Sequence, residues 1–343
     1  LKAFVYALGA VFSASAAHAQ ASSTQVTLYG IVDAAYAHNN NAPGGSRSEL
    51  RSGGMAGNRF GIRGDEDLGG GLRAHFILEN GFEIDTGATA DPNRFWNRQV
   101  LVGLGGGWGN LTLGRQYTAS FSILTTYMPK FFAAMYEPVH VITNGRADNA
   151  VVYDGTFNAV RVRAHYSFGE SAQSSSAGSS KGLASTVRLG NANLAVYYDA
   201  TNGALTSTGY SHQRLYGVAA RYQMDTVGFK GGWRAAKTTS ATGTPTQDDK
   251  VWWASASLRL AEPAELMVAY YQQDIERAGN TVRPVSPKQV SVWATYLLSK
   301  RTMLYAAAAH SKNAPLNFGF GGFSLAPGKT SQTGAGIGVR HSF

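Results

Sequence analysis

From about residue 25 to the C-terminus, apolar side chains recur with a period of two. Residues 159–168 carry the clearest run, where Val160, Val162, Ala164, Tyr166 and Phe168 alternate with Arg161, Arg163, His165 and Ser167. Leu72, Ala74, Phe76 and Leu78 alternate with Arg73, His75, Ile77 and Glu79. Leu266, Val268 and Tyr270 stand against Glu265, Met267, Ala269 and Tyr271, and Ile337, Val339, His341 and Phe343 against Gly338, Arg340 and Ser342. Successive side chains of a strand point to opposite faces, so this pattern predicts a series of two-faced strands. No helical window interrupts them, and no stretch reaches the roughly 18 apolar residues of a spanning helix.

The connections alternate in length. Asp67-Leu68-Gly69-Gly70-Gly71, Gly105-Gly106-Gly107, Gly190-Asn191-Ala192-Asn193 and Ser299-Lys300-Arg301 are short; 39–54, 170–183, 239–249 and 313–330 read as long polar loops. Short turns on one rim and long loops on the other is the layout of a transmembrane barrel. Lipid offers no hydrogen bonds to the backbone, so a sheet that spans a membrane must close on itself. The segments number about 16, an even count in the range that leaves an aqueous interior. The predicted fold is therefore an all-β, antiparallel, transmembrane barrel of 16 strands. Tyr29, Tyr36, Tyr117, Phe168, Tyr222 and Tyr296 sit near strand ends, where an interfacial aromatic girdle would place them and where ordinary strand propensity would also put them.

The first residues follow another rule. Leu1–Phe12 is apolar apart from Lys2, and Ala17-His18-Ala19 before Gln20 fits a small-x-small cleavage site. This reads as a secretory signal peptide over 1–19, leaving 20–343 as one barrel domain.

Composition narrows the chemistry. Of 343 residues only 15% are charged, against roughly 25% in ordinary soluble domains. There is no Cys, which removes disulfides, thiolate metal sites and a cysteine nucleophile. His residues stand at 18, 38, 75, 140, 165, 212, 310 and 341, with no His-x-x-x-His spacing, and no phosphate-binding Gly-x-x-x-x-Gly-Lys loop occurs. The Gly runs at 69–71 and 105–107 are turns, because no helix follows either. Asp65, Glu66 and Asp67 read as a strand end and turn rather than a cation site. No metal, cofactor, nucleic-acid partner or enzymatic activity is expected.

Several segments resemble the general porins of the Gram-negative outer membrane, especially the betaproteobacterial type. Gln25-Val26-Thr27-Leu28-Tyr29-Gly30-Ile31-Val32-Asp33 is similar to their first strand, and Asn58-Arg59-Phe60-Gly61-Ile62-Arg63-Gly64-Asp65-Glu66-Asp67-Leu68-Gly69-Gly70-Gly71 to their second strand and turn. Leu78-Glu79-Asn80-Gly81-Phe82, Leu113-Gly114-Arg115-Gln116-Tyr117 and the closing Gly338-Val339-Arg340-His341-Ser342-Phe343 extend the resemblance over the whole mature chain. It implies a homotrimer in the outer membrane, in contact with lipid and lipopolysaccharide. It also implies that Phe343 is the signal read by the outer-membrane assembly machinery, and that a third external loop folds inward to narrow each barrel. Residues 119–147 fit that loop, being long, unpatterned and rich in apolar side chains such as Phe121, Ile123, Leu124 and Met135; a loop of about 29 residues is uncommon without a task.

A channel needs a radius and a field rather than bond-making residues. By alternation Arg59, Arg63, Arg73, Arg161, Arg163, Arg221, Lys230, Arg234 and Arg340 point inward, against Asp33, Asp65, Glu79 and Glu265. Charge rings in a narrow neck select by sign, so anions should be favoured. The resemblance places wall arginines of the constriction at Arg59, Arg98 and Arg146, and the narrowing segment at Tyr127-Met128-Pro129-Lys130-Phe131. Family members carry acids around that Pro; Thr126 and Lys130 stand here instead. Glu137 and Asp148 are the remaining candidates for an acidic side, and Arg63, Arg73, Arg161 and Arg163 for further lumen charge. The expectation is passive diffusion of small hydrophilic solutes, with preference for anions. A selective organic-anion or phosphate channel, or a surface adhesin or antigen using the long loops, stays open beside it.

Overall fold

The computed structural model describes residues 24–131, 133, 135–138, 141–279, 281–282 and 285–343. The expected signal peptide lies outside them. The strands are β1 (Gln25–Ala42), β2 (Gly45–Ser52), β3 (Arg59–Gly69), β4 (Leu72–Gly81), β5 (Gln99–Gly106), β6 (Gly109–Tyr117), β7 (Arg146–Phe157), β8 (Val160–Ser167), β9 (Ser180–Leu189), β10 (Ala192–Asn202), β11 (His212–Gln223), β12 (Val227–Thr239), β13 (Pro245–Ala261), β14 (Ala264–Ala278), β15 (Thr281–Val282), β16 (Lys288–Leu297), β17 (Thr302–Lys312) and β18 (Ser331–Ser342). All join one antiparallel sheet, closed by pairing β1 with β18 from Ile31↔Ser342 to Asn39↔Gly334.

The wall has 16 strands. β2 and β3 pair in succession with the upper and lower halves of β1, so they count as one wall strand broken at 53–58. β15 is a two-residue extension above β14. Closure leaves no sheet edge facing lipid, which is what lets strands cross a bilayer.

Register carries the alternation around the cylinder, interrupted by bulges such as the one between Gly114 and Gln116 of β6. Leu28 and Ile337 are each 63% exposed and belong to the outer, lipid-facing set with Val102, Leu194, Val196 and Val218. The facing set is buried or lines the interior, and it includes every inward residue that alternation predicted. Two aromatics expected in the girdle belong to it instead: Tyr29 and Tyr117 bond to Glu79 and Arg98 inside the barrel. Tyr36, Phe168, Tyr222 and Tyr296 are exposed on the outside.

Two of the expected long loops are mostly strand. Residues 39–54 form the tip of the β1–β2 hairpin, turning at Pro43 and Gly44, and 239–249 shorten to a turn between Thr239 and Pro245. Polar sequence misled there, because a strand that rises above the membrane is wet on both faces and loses its alternation. At the closing seam the backbone N–H of Gly30 donates to the Phe343 carbonyl at 3.0 Å, and that of Phe343 to the Gly30 carbonyl at 3.1 Å. A Cβ at position 30 would fall within the Phe343 ring, so the Tyr29-Gly30 step makes room for the terminal aromatic.

Candidate functional site

The segment between β6 and β7 starts with a short helix, α1 (Ala119–Leu124), capped by Thr118, whose hydroxyl accepts from the Phe121 N–H. Its side chains meet the inner faces of β8, β9 and β10. The Ala119 N–H donates to His165 Nδ1 at 3.1 Å, and the Ser120 hydroxyl donates to Asp199. From there the chain runs across the interior. Trp253 Nε1 donates to the Tyr127 carbonyl at 3.2 Å, and Lys230 Nζ donates to the carbonyls of Met128 (2.9 Å) and Pro129 (3.2 Å). Gln289 and Ser291 donate to the Tyr136 carbonyl, while the Tyr136 hydroxyl donates to Asn39 Oδ1 at 3.1 Å.

The apolar residues that looked odd in a loop explain these contacts. Ile123, Leu124, Tyr127, Met128, Met135 and Tyr136 are buried against Trp253, Tyr271, Trp293 and the small inward residues of neighbouring strands. Burying large side chains of this kind stabilises by roughly 1.5–3 kcal/mol each. Beneath the segment the inner wall therefore offers apolar side chains interspersed with the polar groups that hold the loop backbone.

On the β3–β7 side, three guanidiniums gather around Tyr117. Arg98 Nη2 donates to the Tyr117 hydroxyl at 3.0 Å, Arg146 Nη2 does so at 3.4 Å, and the Arg146 guanidinium lies 4.8 Å from the Tyr117 ring centre. Arg98 Nε also binds Glu79 Oε1 at 2.8 Å, and Glu79 Oε2 accepts from the Tyr29 hydroxyl at 3.0 Å. Arg59 donates Nε to the Gly57 carbonyl at 3.0 Å. Among the described residues, neither Arg59 nor Arg146 has a carboxylate within ion-pair distance.

Across the lumen, Lys130 Nζ meets Glu265 Oε1 of β14 at 2.5 Å. Lys230 sits 4.0 Å from the Phe131 ring centre as it holds the loop carbonyls. A cavity of about 670 Å³ opens beneath, lined by Arg59, Lys130, Phe131, Arg259, Glu265 and Arg340 among others.

The other two acids named in the sequence do not join the trio. Glu137 is fully buried and accepts from the Lys130 N–H (3.0 Å), the Ala133 N–H (2.6 Å) and the Tyr271 hydroxyl (3.1 Å). Burial pushes its carboxyl above the usual carboxylate range, and the three donors pull it part of the way back. Asp148 stands at the outer end of β7 with Arg94, at 3.1 Å, and Arg115. Of the lumen charges, Arg161 and Arg163 share Asp154 at 2.7 and 2.6 Å. Arg73 binds Asn110 Oδ1 at 2.7 Å, and Arg63 lies 5.5 Å from the Tyr29 ring centre. Asp154, Tyr117 and Arg259 were missed as site residues, although strand register puts Asp154 and Arg259 inward. Arg221, Lys230 and Arg234 also face inward, so they do not meet membrane lipid.

A closed sheet with an apolar outside, a charged inside and a loop spanning the interior defines a transmembrane channel. A family model described as Gram-negative porin matches residues 5–315, and the chain belongs to that family. It is 28% identical to an outer membrane porin protein of Bordetella pertussis, over 98% of this chain and 99% of that one. Among solved structures it is similar to an anion-selective porin from Comamonas acidovorans, with a TM-score of 0.81 and 26% identity over 93% of this chain and 100% of the other. It also shares the fold of an outer membrane protein of Vibrio cholerae solved in a trimer form, with a TM-score of 0.73 and 14% identity over 93% and 99% of the two chains. The protein is thus an outer-membrane channel and not an enzyme.

Proposed function

We propose that the segment 118–145 and the facing arginines form the neck of a pore that admits small hydrophilic solutes and prefers anions. One observation carries this reading. At the neck the acids are already engaged: Glu79 with Arg98, Glu265 with Lys130, and Glu137 under the loop. Among the described residues Arg59 and Arg146 are left without a carboxylate partner. An anion in the neck meets guanidiniums that no carboxylate neutralises, whereas Glu262, at the β13–β14 turn, is the acid of the cavity lining that a cation would meet without an ion-pair partner among the described residues; unpaired charge in a narrow aqueous passage selects by sign. The Comamonas relative, described as anion-selective, supports the same sign. The test is the reversal potential of the purified protein in planar bilayers under a KCl gradient; a potential of cation-selective sign would end the proposal.

The working unit in this reading is a homotrimer. The outer face offers an apolar groove over Ala294, Ala306, Ala308 and Ala335, bordered by Tyr36 and Ile337, where neighbouring barrels could pack closely. Cross-linking in outer-membrane vesicles checks this; a monomer at all cross-linker concentrations would oppose it. The remaining proposals are export through a leader at 1–19, recognition of Phe343 by the assembly machinery and contact with lipopolysaccharide. Deleting Phe343 should reduce the amount of assembled barrel; unchanged assembly would remove that role.

A further inference from the structure

Opposite Val32 and Asp33 of β1 the facing wall strand is broken. β1 pairs with β2 up to Ala34↔Ser52 and with β3 from Ile31↔Arg59, so six residues, 53–58, occupy the space of two. Gly53 begins the break in the left-handed region, at φ 73°, with its N–H still donating to the Asp33 carbonyl at 2.8 Å. The next three amides then wrap the Asp33 carboxylate. Gly54 N–H donates to Oδ1 at 3.0 Å, and Met55 and Ala56 N–H donate to Oδ2 at 2.9 and 2.8 Å. The Tyr305 hydroxyl of β17 donates to Oδ1 at 2.5 Å. Asn58 closes the arch: its Oδ1 accepts from the Asp33 N–H at 2.5 Å and its Nδ2 donates to Ser52 Oγ at 2.8 Å. Asp33 is 0% exposed.

The arch has two outputs toward the neck. Its Gly57 carbonyl holds Arg59 Nε, and its Gly54 carbonyl accepts from the Met135 N–H of the loop at 2.9 Å. Four donors on one buried carboxylate leave it no oxygen aimed at passing ions. The arch thus joins two segments that stood apart in the sequence, the first strand ending in Asp33 and the Asn58-Arg59 pair.

We propose that Asp33 is a positioning residue for the neck: by folding the 53–58 arch around its carboxylate it sets Arg59 in the lumen and ties down the loop. This rests on the reading of Arg59 as a selecting charge. The sign of one effect separates positioning from simple charge. Removing an acid from the pore wall would, by charge alone, raise anion preference. Loss of the arch lowers it, because Arg59 is no longer held.

The experiment measures reversal potentials in a KCl gradient for Arg59→Gln, Asp33→Asn and the double variant, with heat-modifiable gel mobility reporting folded barrels. Asp33→Asn turns an amide N–H₂ toward donors that need an acceptor. Arg59→Gln lowers the anion-to-cation permeability ratio about threefold and Asp33→Asn about twofold, while the double variant is no lower than Arg59→Gln alone, the non-additivity of residues that act through one another. A raised or unchanged ratio in folded Asp33→Asn overturns the proposal, as does an additive double variant. If Arg59→Gln itself changes nothing, the pore reading of Arg59 fails first, and the positioning role falls with it. Should Asp33→Asn not assemble, Asn58→Ala decides, since it loosens the same arch at the strand break; it too lowers the ratio, and an unchanged ratio overturns the proposal.

Discussion

Two sides of the lumen carry cations, and they differ in what those cations meet. On the β3–β7 side Arg98 and Arg146 both donate to the Tyr117 hydroxyl, Arg98 alone of the three is paired with a carboxylate, that of Glu79, and Arg59 donates to the Gly57 carbonyl. On the β12–β14 side Lys130 is matched by Glu265, and Lys230 is occupied with backbone carbonyls of the loop. Both sides read as basic in a residue count. The difference teaches that a pore's field follows from cations left unpaired: a contact ion pair projects a dipole, which falls away faster than a charge. In the reading proposed above the arginine side sets the sign of selection, while on the lysine side Lys230 holds the loop through the Met128 and Pro129 carbonyls.

The strongest way to break this contrast is to detach the loop from the lysine side. Trp253 is 1% exposed and carries a hydrogen bond to the Tyr127 carbonyl. Trp253→Ala should cost about 3–5 kcal/mol, read as a lower denaturant midpoint of the folded barrel, with noisier single-channel current as the loop loosens. Next in size, replacing Arg59, Arg98 and Arg146 together by Gln should lower the anion-to-cation permeability ratio about tenfold, because it also frees Glu79 as an uncompensated acid. A ratio within twofold of wild type would place the selecting charge elsewhere.

The lysine side should respond less, and in a way that reports its pairing. Lys130→Glu puts two acids together and should shift permeation toward cations roughly threefold. Removing both partners, in Lys130→Met with Glu265→Gln, should leave the ratio within about twofold, as expected when a self-neutralising pair is deleted. A large shift from that double variant would show Lys130 acting as a free charge. The smallest effect concerns Glu137. Its folded-state carboxyl is raised above the ordinary value near 4.3, so its contribution to stability is complete below that value and is lost as pH rises through the folded value. Wild type should therefore lose stability relative to Glu137→Gln as pH rises above the ordinary carboxylate range, measured as the difference in melting temperature at each pH. Parallel melting curves across that rise would remove the effect.

Much of the barrel is legible in the sequence. Leu72 to Glu79 and Val160 to Ser167 announce their two faces, and those faces are the ones the pairing register confirms. The guanidinium trio was reached through resemblance, on short segments around Arg59, Arg98 and Arg146. What escaped was how each charge is spent. Asp33 counted as a lumen acid until the arch at 53–58 enclosed it, and Tyr29 and Tyr117 counted as girdle residues until Glu79 and Arg98 claimed their hydroxyls. Asp154 passed unnoticed although it holds both Arg161 and Arg163.

By itself, then, the sequence determined that this chain must close into a two-faced cylinder and which side chains share its interior. Alternation is a property of neighbours along the chain, and lipid enforces it at every step because an unpaired backbone group has no other partner there. Tertiary structure alone decided which of those interior charges remain active. Glu79 finds Tyr29 across 50 residues and Lys130 finds Glu265 across 135. Such meetings depend on strand register, on the break beside Asp33 and on where the loop lands, none of which a local pattern encodes.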